Sequence, residues 1–579
     1  MCGIFGFTGF KSELLDIARN SLHTMNHRGP DQWDDYFDSN IYIGHQRLSI
    51  LDLSEHGKQP MISQDENVII TVNGEIYNFK ALKKELEGKY KFKSSSDSEV
   101  ILYGYIEWGI DTLLERIDGM YAISIYNKKK NELYLVRDRV GIKPLYYGNI
   151  NHQISWASEL KALQKLYMDK KVLTYDYTAL YDFLTYRFIP TPKSLYRNIY
   201  KLEPGHYLKV NTKTNSFEKV QYWQLEVKRT NDDTCTAKRK LNHLLEKSVD
   251  EQMVADVPVG FFLSGGLDSS SVVALASKKH NDINTFSIGF TDKEHDETYY
   301  AGLVADLYKT KHHKKILDED LVQSIFGNIK KWFDEPFGDT SCFPTYLVSE
   351  YAKKNSTVVL TGDGGDEVFG GYRWYQKFEK VQKTYLKKFS ILKNISSFLS
   401  SNVVFLGETF RKLNIIFTTD KVEQYSMIRG ALPKAVKAKY KKAWNIPDDY
   451  DDFWYFRKFY KEDLDLYTRL QFVDFHTYLP DDILTKVDRV SMAVSLECRV
   501  PFLKKEVIEY SFSLDSKVRL HNKKLKGILK ETFSQLLPNE IIHKEKRGFS
   551  IPLHNWRNLL EKRSSKQEKI LDDFNFYVE

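Results

Sequence analysis

Four short stretches of this 579-residue chain concentrate side chains that can do covalent or phosphate chemistry. In MCGIFGF, one of only four cysteines stands directly behind the opening methionine. A lone cysteine is ordinarily a small buried hydrophobe, and chain termini are ordinarily poorly ordered, so a thiol placed there calls for a reason. The second stretch, VGFFLSGGLDSSSVVAL, reads as a buried strand, a glycine turn and a helix beginning near Ser270. The third, VVLTGDGGDEVFGGY, places Asp363, Asp366 and Glu367 among five glycines, and the fourth, KEKRGFSIP, offers the basic group of Lys546.

The glycine turn has the chemistry of an anion cradle. Backbone N–H groups of Ser264, Gly265 and Gly266, aligned with a helix N-terminus, suit phosphate, and the glycines let the backbone come close. Ser264 and Ser269 add hydroxyl donors, and Asp268 is placed to hold a metal ion against the phosphates. The stretch is not the loop of kinases and GTPases, because no G-x-x-x-x-G-K-[ST] occurs in the chain. Carboxylates gathered beside phosphate repel one another, so Mg2+ is the expected partner, held by Asp268 and Asp366. Lys546 is then expected to neutralise charge that builds on the phosphates.

The elements that must position these groups divide in two. One hydrophobic core stops growing near roughly 250 to 300 residues, so two domains are expected, residues 1–210 and 211–579. The first is built of short β-like runs (IFGFTGF, NIYIGHQRLSIL, NVIITVNGEIYN, GMYAISIYN, NELYLVRD, QISWAS), interrupted by helical stretches at KSELLDIARNSLHTM and SEVILYGYIEWG. That pattern predicts layered α+β packing around antiparallel sheets. After a long helix over Lys238 to Met253, the strands VPVGFFL, NTFSIGF and TVVLTG alternate with helices, which predicts a parallel, doubly wound α/β sheet. Residues 372 to about 475 read as helical, rich in lysine and aromatics, with no chemical signature.

Composition bounds the rest. Hydrophobic residues make up 42% and charged residues 28%, and the net charge of +7 is the difference between 85 basic and 78 acidic side chains. A mixed surface of this kind is no nucleic-acid footprint, so no nucleic-acid partner is expected. No apolar run approaches the roughly 18 to 20 residues of a membrane-spanning helix, and the opening residues lack a signal peptide, so a cytoplasmic enzyme is expected. Cys2, Cys235, Cys342 and Cys498 are too few and too scattered for a disulfide framework or a zinc site.

Cys2 with its following glycine, the SGGLDSS loop and the GDGGDE loop together resemble one family, the glutamine-dependent asparagine synthetases of the bacterial type, in matching order over nearly the whole chain. The resemblance implies a layered α/β/β/α N-terminal-nucleophile glutaminase followed by an ATP pyrophosphatase domain with a helical C-terminal part. It implies removal of Met1, so that the α-amine of Cys2, with a pKa near roughly 7.7 to 8.0, can take the thiol proton directly or through water. Arg47 is then similar to the arginine that forks onto the glutamine α-carboxylate, with Leu48, Ser49, Ile50 and Leu51 alongside. Asn73 and Gly74 resemble the oxyanion hole, Glu75 continues that edge, and Asp97 matches the carboxylate that meets the glutamine α-ammonium. Read singly, Arg47 would be a surface ion pair, Asn73 a turn former and Asp97 a helix N-cap.

For the second domain the resemblance implies ATP as substrate, gripped by Leu263, Ser264, Gly265, Gly266, Asp268, Ser269, Ile288, Thr361 and Gly362, and cleaved to AMP and pyrophosphate as an acceptor carboxylate is adenylated. It also implies an enclosed ammonia passage beside RDRVGIKPLYY and WASELKAL, and a homodimer. Where the family pattern reads S-G-E-G-S-D-E, this chain has Asp363, one methylene shorter, as base or acceptor orienter. The block DEPFGDTSCFP, where the family recognises its acceptor, contains no arginine, which leaves Asp339, Thr340 and Ser341 as polar candidates. Lys486, Arg489, Glu497 and Arg499 lie in a further block that could supply positive charge. L-Aspartate is the first acceptor choice. A uronic acid or nucleotide sugar is the second, β-lactam closure a remote third, and a non-catalytic glutamine or nucleotide sensor is the reading from another class.

Overall fold

The computed structural model describes residues 1–168, 172–291, 296–317, 324–325, 327–384, 414–432 and 434–545. The first 221 residues alternate between two six-stranded antiparallel sheets. The chain lays down β1 (Gly3–Thr8), β2 (Gln32–Phe37) and β3 (Ile41–Arg47) in one sheet, then β4 (Met61–Ile62), β5 (Val68–Ile76), β6 (Gly119–Asn127) and β7 (Glu132–Arg137) in the other. It returns to the first with β8 (Tyr146–Ile150), β9 (Gln153–Ala157) and β10 (Ile199–Lys201), and closes the second with β11 (His206–Asn211) and β12 (Phe217–Gln221). The orders are β10-β8-β9-β1-β3-β2 and β12-β11-β7-β6-β5-β4.

Side-chain alternation along these strands makes the layers. Ile4, Ile43, Ile69, Leu133, Leu135 and Leu208 face one another between the sheets. Phe5, Phe7 and Tyr42 face outward beneath the helices Leu15–His23 and Leu160–Tyr167, in the cluster that holds Leu22 and Leu163. On the far side, Val72, Ile123 and Val136 pack under Phe79–Leu86 and Ser98–Arg116. The result is the expected α/β/β/α stack. Its second sheet runs on through β12, past the boundary expected at residue 210.

The second half begins with the helix Thr234–Gln252 and forms a five-stranded parallel sheet from β13 (Val259–Phe262), β14 (Asn284–Phe290), β15 (Lys311–Leu317), β16 (Val358–Leu360) and β17 (Glu497–Arg499). The order β15-β14-β13-β16-β17 reverses direction at β13 and β16, so a crevice opens at their C-terminal ends, the usual ligand position in such sheets. Phe261 and Leu360 face one hydrophobic cluster and Phe286 and Val359 the other, which makes the sheet doubly wound. The stretch expected to be helical and without chemical signature contributes Arg373–Lys383, Lys421–Ile428, Lys434–Ala443, Trp454–Phe459 and Leu466–His476. It is more than filler: Lys437 donates to Thr185 at 2.6 Å, and Tyr450 and Trp454 donate to Asp182, in the helix Tyr177–Tyr186 of the first half.

The halves meet along a buried polar seam. RDRVGIKPLYY forms a tight loop after β7 because the Asp138 carboxylate accepts from the backbone N–H groups of Val140, Gly141, Ile142 and Lys143 at 2.7 to 3.0 Å. Val140 and Ile142 are thereby pressed, with Met120, into the hydrophobic cluster of the second half. Asp138→Ala would strand the buried donors of Val140, Ile142 and Lys143 and leave Gly141 only its 3.3 Å bond to the residue 138 carbonyl, and since each unsatisfied group costs about 1 to 3 kcal/mol, we expect a loss of about 3 kcal/mol or more. Guanidinium unfolding checks this; a loss below about 1 kcal/mol would show that the loop is held by its packing alone.

Candidate active sites and the seam between them

Cys2 lies just ahead of the central strand β1, where the start of that strand meets Asn73 of β5 across the two sheets. Its backbone N–H donates to Asn73 Oδ1 at 3.0 Å, and its carbonyl accepts from Arg28 Nε at 3.0 Å. Burial pushes the thiol pKa up, opposed by the α-amine of residue 1, the Leu48 backbone and Arg47. In the unprocessed chain that amine belongs to Met1, is buried, and pairs with Glu497 Oε2 at 3.0 Å. The Met1 side chain fills the space between Leu48 and Ile50 of the first half and Val358 and Met492 of the second.

The expected glutamine residues gather around this point. β3 ends at Arg47, whose guanidinium donates to Gln32 Oε1 at 2.7 Å and to the carbonyls of Leu51, Asp52 and Ser54, so it is braced by the following loop. That loop, which carries Leu48, Ser49, Ile50 and Leu51, is stitched to the second half, since Asp256 N–H donates to Ile50 O at 2.9 Å and Asp52 N–H to Asp256 at 2.8 Å. Asp97 precedes the helix Ser98–Arg116 without capping it; its carboxylate accepts from Ile76 N–H at 2.6 Å instead. Burial lifts that carboxyl to about 6. Glu75, next to Gly74, is raised well above its usual range by burial and by Glu497 and Asp97, and it faces Arg499 at 3.4 Å. A buried polar cluster rich in carboxylates is therefore assembled by both halves.

The second constellation sits at the crevice between β13 and β16. The helix after the glycine turn starts at Leu267, earlier than the expected Ser270, so Asp268 and Ser269 lie in its first turn. Gly265 has φ +66° and lies so close to the next helix that a Cβ would fall 2.5 Å from Ala301 N. The Ser264 and Ser269 hydroxyls bond each other at 3.1 Å, and Ser264 N–H donates to Ser269 Oγ. Leu263 is buried and held by Phe286 O at 2.9 Å, and Ile288 is buried in the adjacent strand β14. After β16, Thr361 N–H pairs with Arg499 O at 2.9 Å and its hydroxyl donates to Asp363 at 2.8 Å. Gly362 packs directly on Asp268 and Ser269.

Asp268 and Asp366 are brought together as expected, but by a residue that no sequence signal selected. Lys526 Nζ bridges Asp268 Oδ2 and Asp366 Oδ1, the latter at 2.5 Å. It precedes the helix Gly527–Phe533, and only its position in a lysine-rich run (HNKKLKGILK) hints at it. The expected Lys546 lies outside the described residues. Its near neighbour Lys544 reaches the glycine turn, at 3.4 Å from Gly265 O. Asp268 also keeps a buried oxygen, Oδ1, without a hydrogen-bond partner among the described residues. Two carboxylates beside a phosphate cradle fit Mg2+, which takes one or two protein carboxylates and fills its remaining positions with phosphate oxygens and water.

The acceptor block is also organised. Asp339 accepts from Ser341 N–H at 2.9 Å and Ser341 Oγ at 2.7 Å, while Lys486 Nζ donates to Asp339 at 3.2 Å and Ser341 Oγ at 2.8 Å. Thr340 contributes a backbone carbonyl to Phe343 N–H, and its side chain makes no hydrogen bond among the described residues. Arg489 faces the seam and Arg499 pairs with Glu75 and Glu497, so among the described residues of that block Lys486 is the positive charge that meets the acceptor candidates.

Arg28 binds the constellations together. Fully buried, its guanidinium meets Asp488 through two bonds at 2.8 and 3.0 Å and Glu159 at 2.9 Å, while Arg489 bridges Glu159 and Asp334 at 3.1 Å each. Lys486 and Asp488 share the short helix Thr485–Met492. A cavity of about 20 Å³, room for one water-sized molecule, lies in the seam among Arg137, Ile142, Leu145, Leu484, Asp488 and Arg489.

Gly365 tests the phosphate half alone, because a Cβ there would fall 2.7 Å from Asp268 Cγ. Forcing the two loops apart with Gly365→Ala should weaken ATP binding by about tenfold or more, read by titration. The alkylation rate of Cys2 by iodoacetamide should stay put; an unchanged ATP affinity would refute the tight loop contact as the organiser of the cradle.

The geometry agrees with what the chain is similar to. The family model described as asparagine synthase matches residues 240–573, and the one described as glutamine amidotransferase domain matches residues 1–223. Glutamine-hydrolyzing asparagine synthetase 1 of Bacillus subtilis (strain 168) is 34% identical over 96% of this chain and 88% of its own length. A putative glutamine-hydrolyzing asparagine synthetase 2 of Methanocaldococcus jannaschii is 36% identical over 87% of this chain and 100% of its own. Glutamine-hydrolyzing asparagine synthetase B of Escherichia coli (strain K12) is 31% identical over 65% of this chain and 66% of its own. With its catalytic halves folded and joined as described, the chain belongs to the asparagine synthase family.

Proposed function

We propose that this chain is an ATP-dependent ligase that makes L-asparagine from L-aspartate, taking nitrogen from glutamine and cleaving ATP to AMP and pyrophosphate. The observation that carries the reading is the joining, in one packed chain, of the Cys2–Asn73 junction and the phosphate crevice, with Arg28 running from the Cys2 carbonyl to Asp488 on the helix that carries Lys486. Removal of Met1 gives Cys2 the free α-amine. That amine, at the position now bonded to Asn73, takes the thiol proton, and the thiolate attacks the glutamine side-chain amide. Asn73 and Gly74 stabilise the oxyanion, Arg47 and the loop through Leu51 hold the α-carboxylate, and Asp97 and Glu75 hold the α-ammonium edge.

The adduct collapses to a Cys2 thioester as the amide nitrogen takes the proton back from the α-ammonium and leaves as ammonia, and water hydrolyses the thioester to glutamate; the ammonia must stay neutral to react. Removal of Met1 would vacate the apolar space that its side chain fills, between Leu48 and Ile50 of the first half and Val358 and Met492 of the second, and that space is our candidate for the start of a passage. At the second site, Ser264 to Ser269 grip the phosphates, and the adenine lies near Leu263 and Ile288, beside Thr361 and Gly362. Asp268 and Asp366 would hold Mg2+, which neutralises phosphate charge when bound. Lys526, already between these carboxylates, meets charge developing on the phosphates, the role first expected of Lys546. The acceptor, held by Asp339, Ser341 and Lys486 and oriented by Asp363, attacks the α-phosphorus; ammonia then displaces AMP. The cytoplasm, the source of ATP and glutamine, is the compartment of this reading.

Incubation with glutamine, Mg-ATP and a panel of acids, read for AMP and amide by mass spectrometry, should give asparagine from aspartate. Amidation of a uronic acid with aspartate inert would overturn the substrate. Release of ADP would overturn adenylation. Cys2→Ala should abolish glutamine-dependent synthesis and retain synthesis from added ammonia; loss of both would contradict two separable sites.

A further inference from the structure

The acceptor pocket contains a buried acid that no motif announces. Residues Leu479–Leu484 form a π-helix that runs into the helix Thr485–Met492, and π turns concentrate at functional sites. Its two adjacent aspartates have different partners. Asp481 is consumed by structure, accepting from Thr191 N–H at 2.8 Å, Thr191 Oγ1 at 2.6 Å and Tyr455 OH at 2.7 Å. Asp482, only 4% exposed, keeps Oδ1 without a hydrogen-bond partner among the described residues. The charged groups around it are those of the acceptor cluster, Asp339, Lys486 and Arg429.

A pocket built only to hold carboxylates or a sugar acid has no use for a second buried acid, which costs several kcal/mol to ionise without a cation. Lys486 already satisfies Asp339, so Asp482 is the group in surplus. A substrate that brings its own cation resolves the surplus. We propose that Asp482, with Asp339, binds the α-ammonium group of the acceptor, so that this site selects an α-amino acid over a plain dicarboxylate or a sugar acid. The inference rests on the synthetase reading above and narrows its substrate. Lys486, released from Asp339, then meets the acceptor's α-carboxylate.

The protonation states agree. Burial, then the neighbouring Asp339 charge, raise the Asp482 carboxyl well above its usual range, which favours its protonated form until a cation arrives. Burial opposes the ionisation of Asp339, but Lys486 and Ser341 hold that carboxyl down to about 2. An incoming ammonium keeps its own protons, and the Asp482 proton leaves to solvent as the carboxylate forms. The groups facing Asp482 are Asp339 and Cys342 from the acceptor block, Lys486 from the following helix, Tyr478 from the preceding turn and Arg429 at the end of the helix Lys421–Ile428. Acceptor affinity should therefore rise with pH until Asp482 is ionised in the free enzyme.

The test uses the full-length enzyme with ammonia as nitrogen source and compares L-aspartate with succinate, which lacks only the ammonium. Wild-type kcat/KM should favour aspartate by about 100-fold or more, and Asp482→Asn should raise the aspartate KM by about tenfold or more and narrow that preference. Calorimetry of aspartate binding to the wild type, in buffers of different ionisation enthalpy, should show release of about one proton, and this readout does not depend on the variant folding. Equal use of succinate, binding without proton release, or a preference untouched by Asp482→Asn would each overturn the inference while leaving asparagine synthesis standing. A wild type inert to aspartate would overturn the synthetase substrate as well.

Discussion

Among the described residues, the buried guanidinium of Arg28 is the one side chain that ties the Cys2 carbonyl directly to the helix that carries Lys486. A guanidinium with no exposure must satisfy its donors from protein, and here the partners are the Cys2 carbonyl, Glu159 of the first half and Asp488 of the second. Such an ion cluster adds little net stability over a well-packed apolar seam, yet losing one partner would strand a buried charge at about 3 to 5 kcal/mol. Its value is therefore registry. It fixes where Cys2 stands relative to the helix that carries Lys486 and Asp488, and the Asp138-capped loop keeps the surrounding surface in place.

The phosphate crevice follows from topology in the same way. Because the sheet order turns back between β13 and β16, two loops leave adjacent strands side by side, and glycines let them touch. Close approach places Asp268 against Asp366, and Lys526 arrives from a third segment to offset their repulsion. The site is thus prepaid in charge: Lys526 already offsets the two carboxylates that would hold a metal ion.

Much of this was legible in the sequence where the signal is local. Short β-like runs marked β1, β3, β5, β6, β7 and β9, and glycine turns marked both phosphate loops. The short helices Phe79–Leu86 and Tyr177–Tyr186 escaped because the first is lysine-rich and the second apolar on nearly every face. Asp97 shows how context decides a residue with two local readings: the capping position is real, but the carboxylate turns to Ile76 instead. The residues that escaped entirely, Arg28, Asp138, Lys526 and Asp482, act through partners far away in the chain or through backbone groups that no pattern of side chains displays. Lys486 was visible only as one of several charges in its block, and only packing separated it from Arg489 and Arg499.

The account turns on ammonia crossing the seam without meeting water, and isotope competition measures that directly. With amide-15N glutamine, aspartate and Mg-ATP in the presence of excess unlabelled ammonium, the asparagine amide should retain 15N well above its share of the bulk pool. Product label equal to that of bulk ammonium would mean that the released nitrogen escapes to solvent, and would contradict an enclosed passage between Cys2 and the phosphate crevice.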